Sequence, residues 1–478
     1  MKNGKVDVAV IGSGAAGSVM AYELARRGLD VVVLEKGRRE DPQTFEHSEL
    51  AMFPRVYKQG GLQSTDDHDA IVIQGCTVGG STVINNAIWM RADLGRVLPD
   101  WEERGAHVPA EALVQAYLEL EQALHVSPVP EAVANAGSEV FLRGCERTGI
   151  PGEFLHNNRD HCIGCGWCNY GCRYNRKVSM LVSYIPWAEA KGTRFVDRCD
   201  HARVVCDGKR AVGVEARRDG ERISFEADRV VVCAGAIGSS AVLLESGIQV
   251  DGRVGKGLHV LGGVFVTGET DEPINGYDGI GLTCVAHASH DYVIESYFAP
   301  PVAFSLRLGG FFLSHFDRAS RYASFIDGGV MVGTDPRNGS VTLDRKGRVH
   351  IQLKFDDSDL ARLREGLQTI GRIYFAAGAR RVFPSTFKFI EFAHPEQLGG
   401  VDELIREPDD LLLGSAHPQG GNLMHEDPKR GVVGQDFAVH GYDGLYVADT
   451  SVWPSNIWAN CQATAMAMSH YAATHVAA

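Results

Sequence analysis

Residues 6–35 read VDVAVIGSGAAGSVMAYELARRGLDVVVLE, and this stretch decides the fold. Val6 to Ile11 is an apolar run of the kind a buried parallel strand requires. Gly12, Gly14 and Gly17 follow at G-x-G-x-x-G spacing, Ala15 to Arg27 carries a helical pattern ended by Gly28, and Val31 to Leu34 is a second apolar strand closed by Glu35. The spacing predicts a βαβ unit that binds a dinucleotide. Gly12 permits the tight turn, Gly14 lets backbone approach a pyrophosphate, and Gly17 lets helix and strand pack closely. The helix N-terminus offers free N–H groups and partial positive charge to phosphates, and Glu35 stands where ribose hydroxyls would be met. The motif alone does not separate FAD from NAD.

Two further glycine-rich segments extend the pattern. Gln74 to Asn86 (QGCTVGGSTVINN) places Gly79, Gly80, Ser81 and Asn85 in a turn whose N–H groups suit a second wall around a pyrophosphate or an isoalloxazine ring; an ordinary surface loop is the other reading. Arg229 to Ile248 starts with the apolar strand Val230–Cys233 and turns through Ala234-Gly235-Ala236 into a helix. Two strand-to-helix turns far apart in sequence point to one discontinuous cofactor domain. Near the C-terminus, His417 lies in GSAHPQGGNLM, Asp449 ends the strand GLYVAD, and Asn460 follows WPSNIWA. A His and an Asn on separate turn-rich segments form a candidate proton-handling pair, because imidazole accepts a hydroxyl proton near neutral pH and an amide orients an oxygen.

Taken in order, these motifs resemble the glucose–methanol–choline oxidoreductases, and the likeness runs over most of the chain. The segments around His417 and Asp449 are most similar to the long-chain fatty alcohol oxidase and cholesterol oxidase branches. The resemblance implies an α/β fold, with a Rossmann-like FAD-binding domain interleaved with an α+β substrate domain on an antiparallel sheet. Gly12, Gly14, Gly17 and Glu35 would hold the ADP half of FAD. Gly79, Gly80, Ser81 and Asn85 would face pyrophosphate and flavin, Val204 or Val205 the adenine edge, Ala234 the second turn, and Asp449 the ribityl chain. His417 would be the base and Asn460 its partner while hydride passes from an alcohol carbon to flavin N5. The chain departs from the family where Cys461 replaces the proline usual after the second active-site residue, and no His in 79–85 is available for a histidyl-linked flavin.

Four of the 11 cysteines, Cys162, Cys165, Cys168 and Cys172, have the C-x2-C-x2-C-x3-C spacing of a bacterial ferredoxin run, although Arg173 stands where proline is usual. The spacing predicts an iron–sulfur cluster, [4Fe–4S] or [3Fe–4S]; a zinc site and a purely structural thiol set are the competing readings. A cluster would make the protein a dehydrogenase that passes electrons to an external redox partner. Structural cysteines would suit an oxidase releasing peroxide. Another class, a flavin reductase or isomerase or an electron-transfer subunit, would not need His417 and Asn460.

Composition bounds these readings. The 478 residues carry a net charge of −13, which disfavours a nucleic-acid partner, and 44% apolar content supports a large core. The odd, clustered cysteines, an N-terminus without an h-region and the lack of any long apolar run lead us to expect a cytoplasmic chain with no transmembrane segment. Residues 298–316 are rich in Phe and Leu but broken by two prolines and two glycines. They read as a loop lining an apolar pocket or touching a membrane surface, and with the family likeness they favour a hydrophobic or cyclic alcohol. The expected organisation is an FAD domain of 1–93, 194–262 and 411–478, an insertion of 94–193 bearing the cysteines, and a substrate domain of 263–410.

Overall fold

The computed structural model describes residues 2–478. The opening motif folds as read: strand Lys2–Ile11, helix Ala15–Ala25 and strand Val31–Leu34, with the two strands parallel and Val8 opposite Val31. The same first strand pairs in parallel with Glu221–Val232, and that strand pairs in parallel with Leu445–Val447. Antiparallel strands Arg210–Arg218 and Cys199–Asp207 and the parallel strand Arg194–Val196 complete a seven-stranded sheet. Val8, Val10, Val31, Val32, Val33 and Val230 to Val232 are fully inaccessible, as strands covered on both faces must be.

A ten-stranded, mostly antiparallel sheet forms the second layer. Its spine is the 14-residue strand Lys256–Glu269, which pairs with Phe325–Gly333, Arg381–Pro384 and Leu413–Gly421. The expected boundary between 262 and 263 falls inside this strand. Side chains alternate across the sheet. Val260, Val264, Val266, Ile294 and Val330 face a core shared with helices Asp357–Ala377 and Ala136–Thr148. Leu261, Phe265, Gly329 and Glu295 therefore lie on the other face, since Phe265 is opposite Gly329 and Gly329 opposite Glu295. That face carries the candidate site.

The 94–193 segment opens on helices Leu94–Glu103 and Ala110–Ala123. The cysteine segment contains only the short turn Cys168–Tyr170. Residues 298–316, expected as a loop, form two short helices, Pro301–Arg307 and Leu313–Ala319. Pro301 at the first position starts a helix rather than breaking one, because its missing N–H has no intrahelical partner there anyway. Among the described residues no helix is long and apolar enough to cross a membrane.

The helix Asp357–Ala377 braces the site sheet from behind. Asp356 accepts from the N–H groups of Ser358 (2.9 Å) and Asp359 (3.1 Å), while Asp359 accepts from Asp356 N (3.0 Å), a reciprocal cap. The Ser358 hydroxyl and these N–H groups hold the Asp356 carboxyl down at about 2. Asp356→Ala should lower stability by about 1 kcal/mol in denaturant unfolding at neutral pH. Because the carboxyl is depressed when folded, the wild-type advantage is complete above its unfolded value and shrinks as pH falls towards 2. A difference that stayed constant down to that pH would show that the cap acts without its charge.

Candidate active site

At the dinucleotide end, the glycine turn is tied down by a buried carboxylate. Glu35 accepts from Ser13 N (2.9 Å) and Ser13 Oγ (2.8 Å) through one oxygen and from Gly37 N (2.7 Å) through the other. Burial raises its pKa, opposed by these bonds. Gly79 N in turn donates to Ser13 Oγ (3.1 Å). Ser13, completely buried, links both glycine loops, and the sequence reading passed over it. A side chain on Gly17 would put its Cβ 2.0 Å from the Gly12 carbonyl oxygen, whereas one on Gly14 would meet nothing within 4 Å. Gly14 thus faces open space at the head of the helix, which fits a pyrophosphate.

The remaining residues expected at the cofactor divide into two groups. Gly80 lies against Gly14, where an added Cβ would stand 2.8 Å from the Gly14 Cα. Asp449, buried at the end of the strand Leu445–Val447, accepts from Gly235 N (2.7 Å) and Ser239 Oγ (2.5 Å), so it caps the second turn, where Ala234 N donates to Ser239 Oγ (2.9 Å). Burial raises the Asp449 pKa against those bonds. The others are engaged within the protein. Ser81 Oγ accepts from Gly75 N (3.0 Å), Asn85 donates to Gln462 Oε1, and Val205 stands opposite Gly213 in the outer hairpin.

On the face of the second sheet, His417 stands opposite Leu261 in the strand Leu413–Gly421, and its N–H donates to Ser415 Oγ (2.9 Å). Burial depresses its imidazole to about 4, so it is neutral at physiological pH. Asn460 is the N-terminal cap residue of the helix Cys461–Ala477, is buried, and its Oδ1 has no partner. Gln419, on the same strand as His417, accepts from Ile457 N (3.2 Å) and bonds the Cys461 thiol, joining the two segments. A residue that the sequence reading missed completes the group. Glu295 is buried, has one oxygen without a partner, and is raised by burial to about 7, opposed by a hydrogen bond from Asn460. A lone acid in the apolar strand VIESY was the available signal.

The four cysteines line one void of about 10 Å³ together with Arg159 and Lys177. Gly164 N donates to Cys162 Sγ (3.4 Å), Arg176 N to Cys172 Sγ (3.3 Å) and Arg159 Nη2 to Cys168 Sγ (3.5 Å). Burial raises the Cys168 thiol, but Arg159 and Lys177 outweigh it and the net shift is downward. The donor chemistry fits a thiolate-bound group. The space does not: the void would hold about one water, and among the described residues no group of three or more His, Cys, Asp or Glu is arranged to hold a metal ion. The loop is bound firmly to the second glycine segment, since Lys177 Nζ donates to the carbonyls of Val83 (2.7 Å), Asn85 (2.8 Å) and Cys168 (2.6 Å).

The sequence profile described as GMC oxidoreductase matches residues 53–261 in its N-terminal part and 335–469 in its C-terminal part, and an NAD(P)-binding Rossmann-like profile matches 10–40. An uncharacterized GMC-type oxidoreductase of Mycobacterium tuberculosis is 32% identical over 480 residues, covering 97% of this chain and 75% of the relative. A long-chain-alcohol oxidase of Arabidopsis thaliana is 26% identical over 517 residues, covering 99% and 68%. The crystal structure of pyridoxine 4-oxidase from Mesorbium loti superposes with a TM-score of 0.74 at 17% identity, covering 98% of each chain.

Two substitutions separate cofactor contact from folding. Gly14→Val should leave the melting temperature of the FAD-free protein unchanged and abolish FAD retention, read from the flavin absorbance of purified protein. Gly17→Ala should lower the melting temperature as well, because its Cβ meets backbone that cannot give way. Full flavin content in Gly14→Val would remove Gly14 from the cofactor contact.

Proposed function

This chain belongs to the GMC oxidoreductase family, FAD-dependent enzymes acting on CH–OH groups, and we propose that it oxidises a hydrophobic or cyclic alcohol to the aldehyde or ketone. The observation that carries the proposal is the hydrogen bond from Asn460 to the buried Glu295, with the His417 strand joined to the Asn460 segment through Gln419, on a sheet face whose side chains Leu261, Phe265 and Met331 are apolar. Gly12, Gly14, Gly17, Gly79, Gly80, Ala234 and Asp449 would hold FAD, which would supply a two-electron acceptor. Each protein group then has one task. Neutral His417 Nε2 or Nδ1 accepts the substrate hydroxyl proton. Asn460 donates one amide N–H to Glu295, which leaves its second N–H to hold the substrate oxygen while His417 takes the proton. Glu295 acts on the substrate through Asn460, and its ionised form holds that amide most strongly.

The long-chain-alcohol oxidases among the relatives support an apolar alcohol. For the fate of the electrons two readings stand. In the first, Cys162, Cys165, Cys168 and Cys172 would hold an iron–sulfur cluster that passes electrons to an external acceptor, a reading supported by their ferredoxin spacing alone. In the second, oxygen is the acceptor and the thiols are structural, supported by the water-sized void and by the oxidases among the relatives.

The rate of flavin bleaching by a long-chain alcohol should rise through about pH 7 as Glu295 ionises, and Glu295→Gln should remove that inflection while leaving flavin content intact. His417→Ala should slow bleaching by about 100-fold or more at every pH. Unimpaired bleaching in His417→Ala would eliminate it as the base. Iron and labile sulfide in anaerobically purified protein, lost in Cys165→Ser and Cys168→Ser, would establish the first reading against the water-sized void. Peroxide formation in air from protein without iron would instead establish the oxidase reading.

A further inference from the structure

We propose that the knuckle formed by Pro301–Arg307 and Leu313–Ala319 docks the protein on the surface of an anionic lipid bilayer, beside the candidate site. Leu306, Phe311, Phe312, Leu313 and Phe316, with Phe387 from a neighbouring segment, range from 64% exposed at Phe387 to 86% at Phe311. Isolated exposed apolar residues are ordinary, but five large ones within eleven positions are not. Phe312 also holds a left-handed φ of +51°, which a bulky side chain adopts only under constraint. Neither the solvation nor the backbone of this tip favours its conformation in water, so its partner lies outside the chain.

The base of the knuckle is fixed while the tip is bare. Glu49 accepts from Val302 N (2.6 Å) and Ala303 N (2.8 Å). Arg307 lies 3.9 Å above the Phe265 ring and donates to Asp327 Oδ2 (2.6 Å). Arg318 lies 3.3 Å above Phe389 and donates to the Gly309 carbonyl (3.0 Å). The tip is therefore presented at a set height rather than left as a loose loop. Arg318 and the exposed Lys388 border it, against two exposed carboxylates, Asp317 on the knuckle and Glu391 facing Arg318. In a chain of net charge −13, this near-neutral patch meets a negative surface with less repulsion than an average face of the molecule.

A bilayer matches these dimensions better than a second copy of the chain. A stable protein interface needs about 20–30 residues a side, whereas interfacial insertion needs only a few aromatic and aliphatic side chains backed by cations. The position matters too. Phe304 belongs to an aromatic cluster with Phe298, Phe325 and Phe383, and Arg307 touches Phe265, which shares the sheet face of Glu295. Docking there would deliver a bilayer-dissolved alcohol to the site. The delivery rests on the apolar-alcohol reading above; the docking does not.

The test is flotation of the FAD-loaded full chain with vesicles of phosphatidylcholine and phosphatidylglycerol in equal parts, and with phosphatidylcholine alone. Wild type should float with the anionic vesicles. The variant Phe311→Ser/Phe312→Ser/Phe316→Ser should lose about 10-fold or more of the bound fraction. Leu118→Ser, an exposed apolar change on the helix Ala110–Ala123, should bind as wild type. Turnover of a water-soluble alcohol should be unchanged in the triple variant. Wild type that does not float, or a triple variant that floats equally, overturns the proposal. So does a wild-type dimer that becomes monomeric in the triple variant while neither form binds vesicles. Vesicle binding without any alcohol turnover would leave the docking standing and defeat the function proposed above.

Discussion

Two strand-to-helix turns meet backbone to backbone in this protein, and the rest of the architecture depends on that contact. A Cβ on Gly12 would lie 2.4 Å from the Cys233 carbonyl oxygen, so only glycine allows the strand Lys2–Ile11 and the strand Glu221–Val232 to leave the sheet side by side. Each turn is then fastened by a buried carboxylate. Glu35 holds the first through Ser13, and Asp449 holds the second through Gly235 N and Ser239. Both carboxylates are costly to bury, and both are offset by several charge-assisted bonds. The result joins residues 12, 35, 235 and 449 into one rigid floor.

That floor sets where the second sheet can stand. The strand Leu413–Gly421 crosses the spine Lys256–Glu269, and Thr450 Oγ1, directly after Asp449, donates to the Pro418 carbonyl (3.0 Å). The segment that closes the dinucleotide turn thereby fixes the neighbourhood of His417. Gln419 carries the same linkage on to Ile457 and to Cys461, next to Asn460. Cys461 in place of the usual proline gains a thiol partner in Gln419. A proline there would have offered none.

The sequence made the first layer legible because its physics is local. Glycine spacing, an apolar strand on each side and an acid at the end of the second strand specify a βαβ turn without reference to anything distant. The first helix was legible for the same reason: the pattern from Ala15 to Arg27 folds as Ala15–Ala25 ahead of Gly28. Glu295 was not legible. Its place comes from a cross-strand row through Gly329 to Phe265, and register between strands tens of residues apart leaves no local mark. Ser81 and Asn85 show what residue type alone leaves open. Their residue types suit a cofactor, yet Gly75 and Gln462 claim their side chains. Small polar residues in turns serve their own loops as readily as a ligand.

The cysteine segment shows why spacing is weaker evidence than geometry. Four thiols in eleven residues fix which side chains share a loop, not how far the loop opens. Here two carbonyl bonds from the Lys177 ammonium to Val83 and Asn85, with a third to Cys168, clamp the loop to the segment Val83–Asn85, and Asn169 adds a bond to the Ile84 carbonyl (3.0 Å). Burial lowers the Lys177 pKa to about 8, so its charge, and with it the clamp, is held by those bonds rather than by solvent. Tyr297 OH reaches Asn169 Oδ1 (3.5 Å) from the sheet face that bears Glu295. Any group the thiols hold would therefore be tied both to the second glycine segment and to the candidate site. Opening the loop would disturb both, which couples occupancy of the cysteines to the geometry around the cofactor.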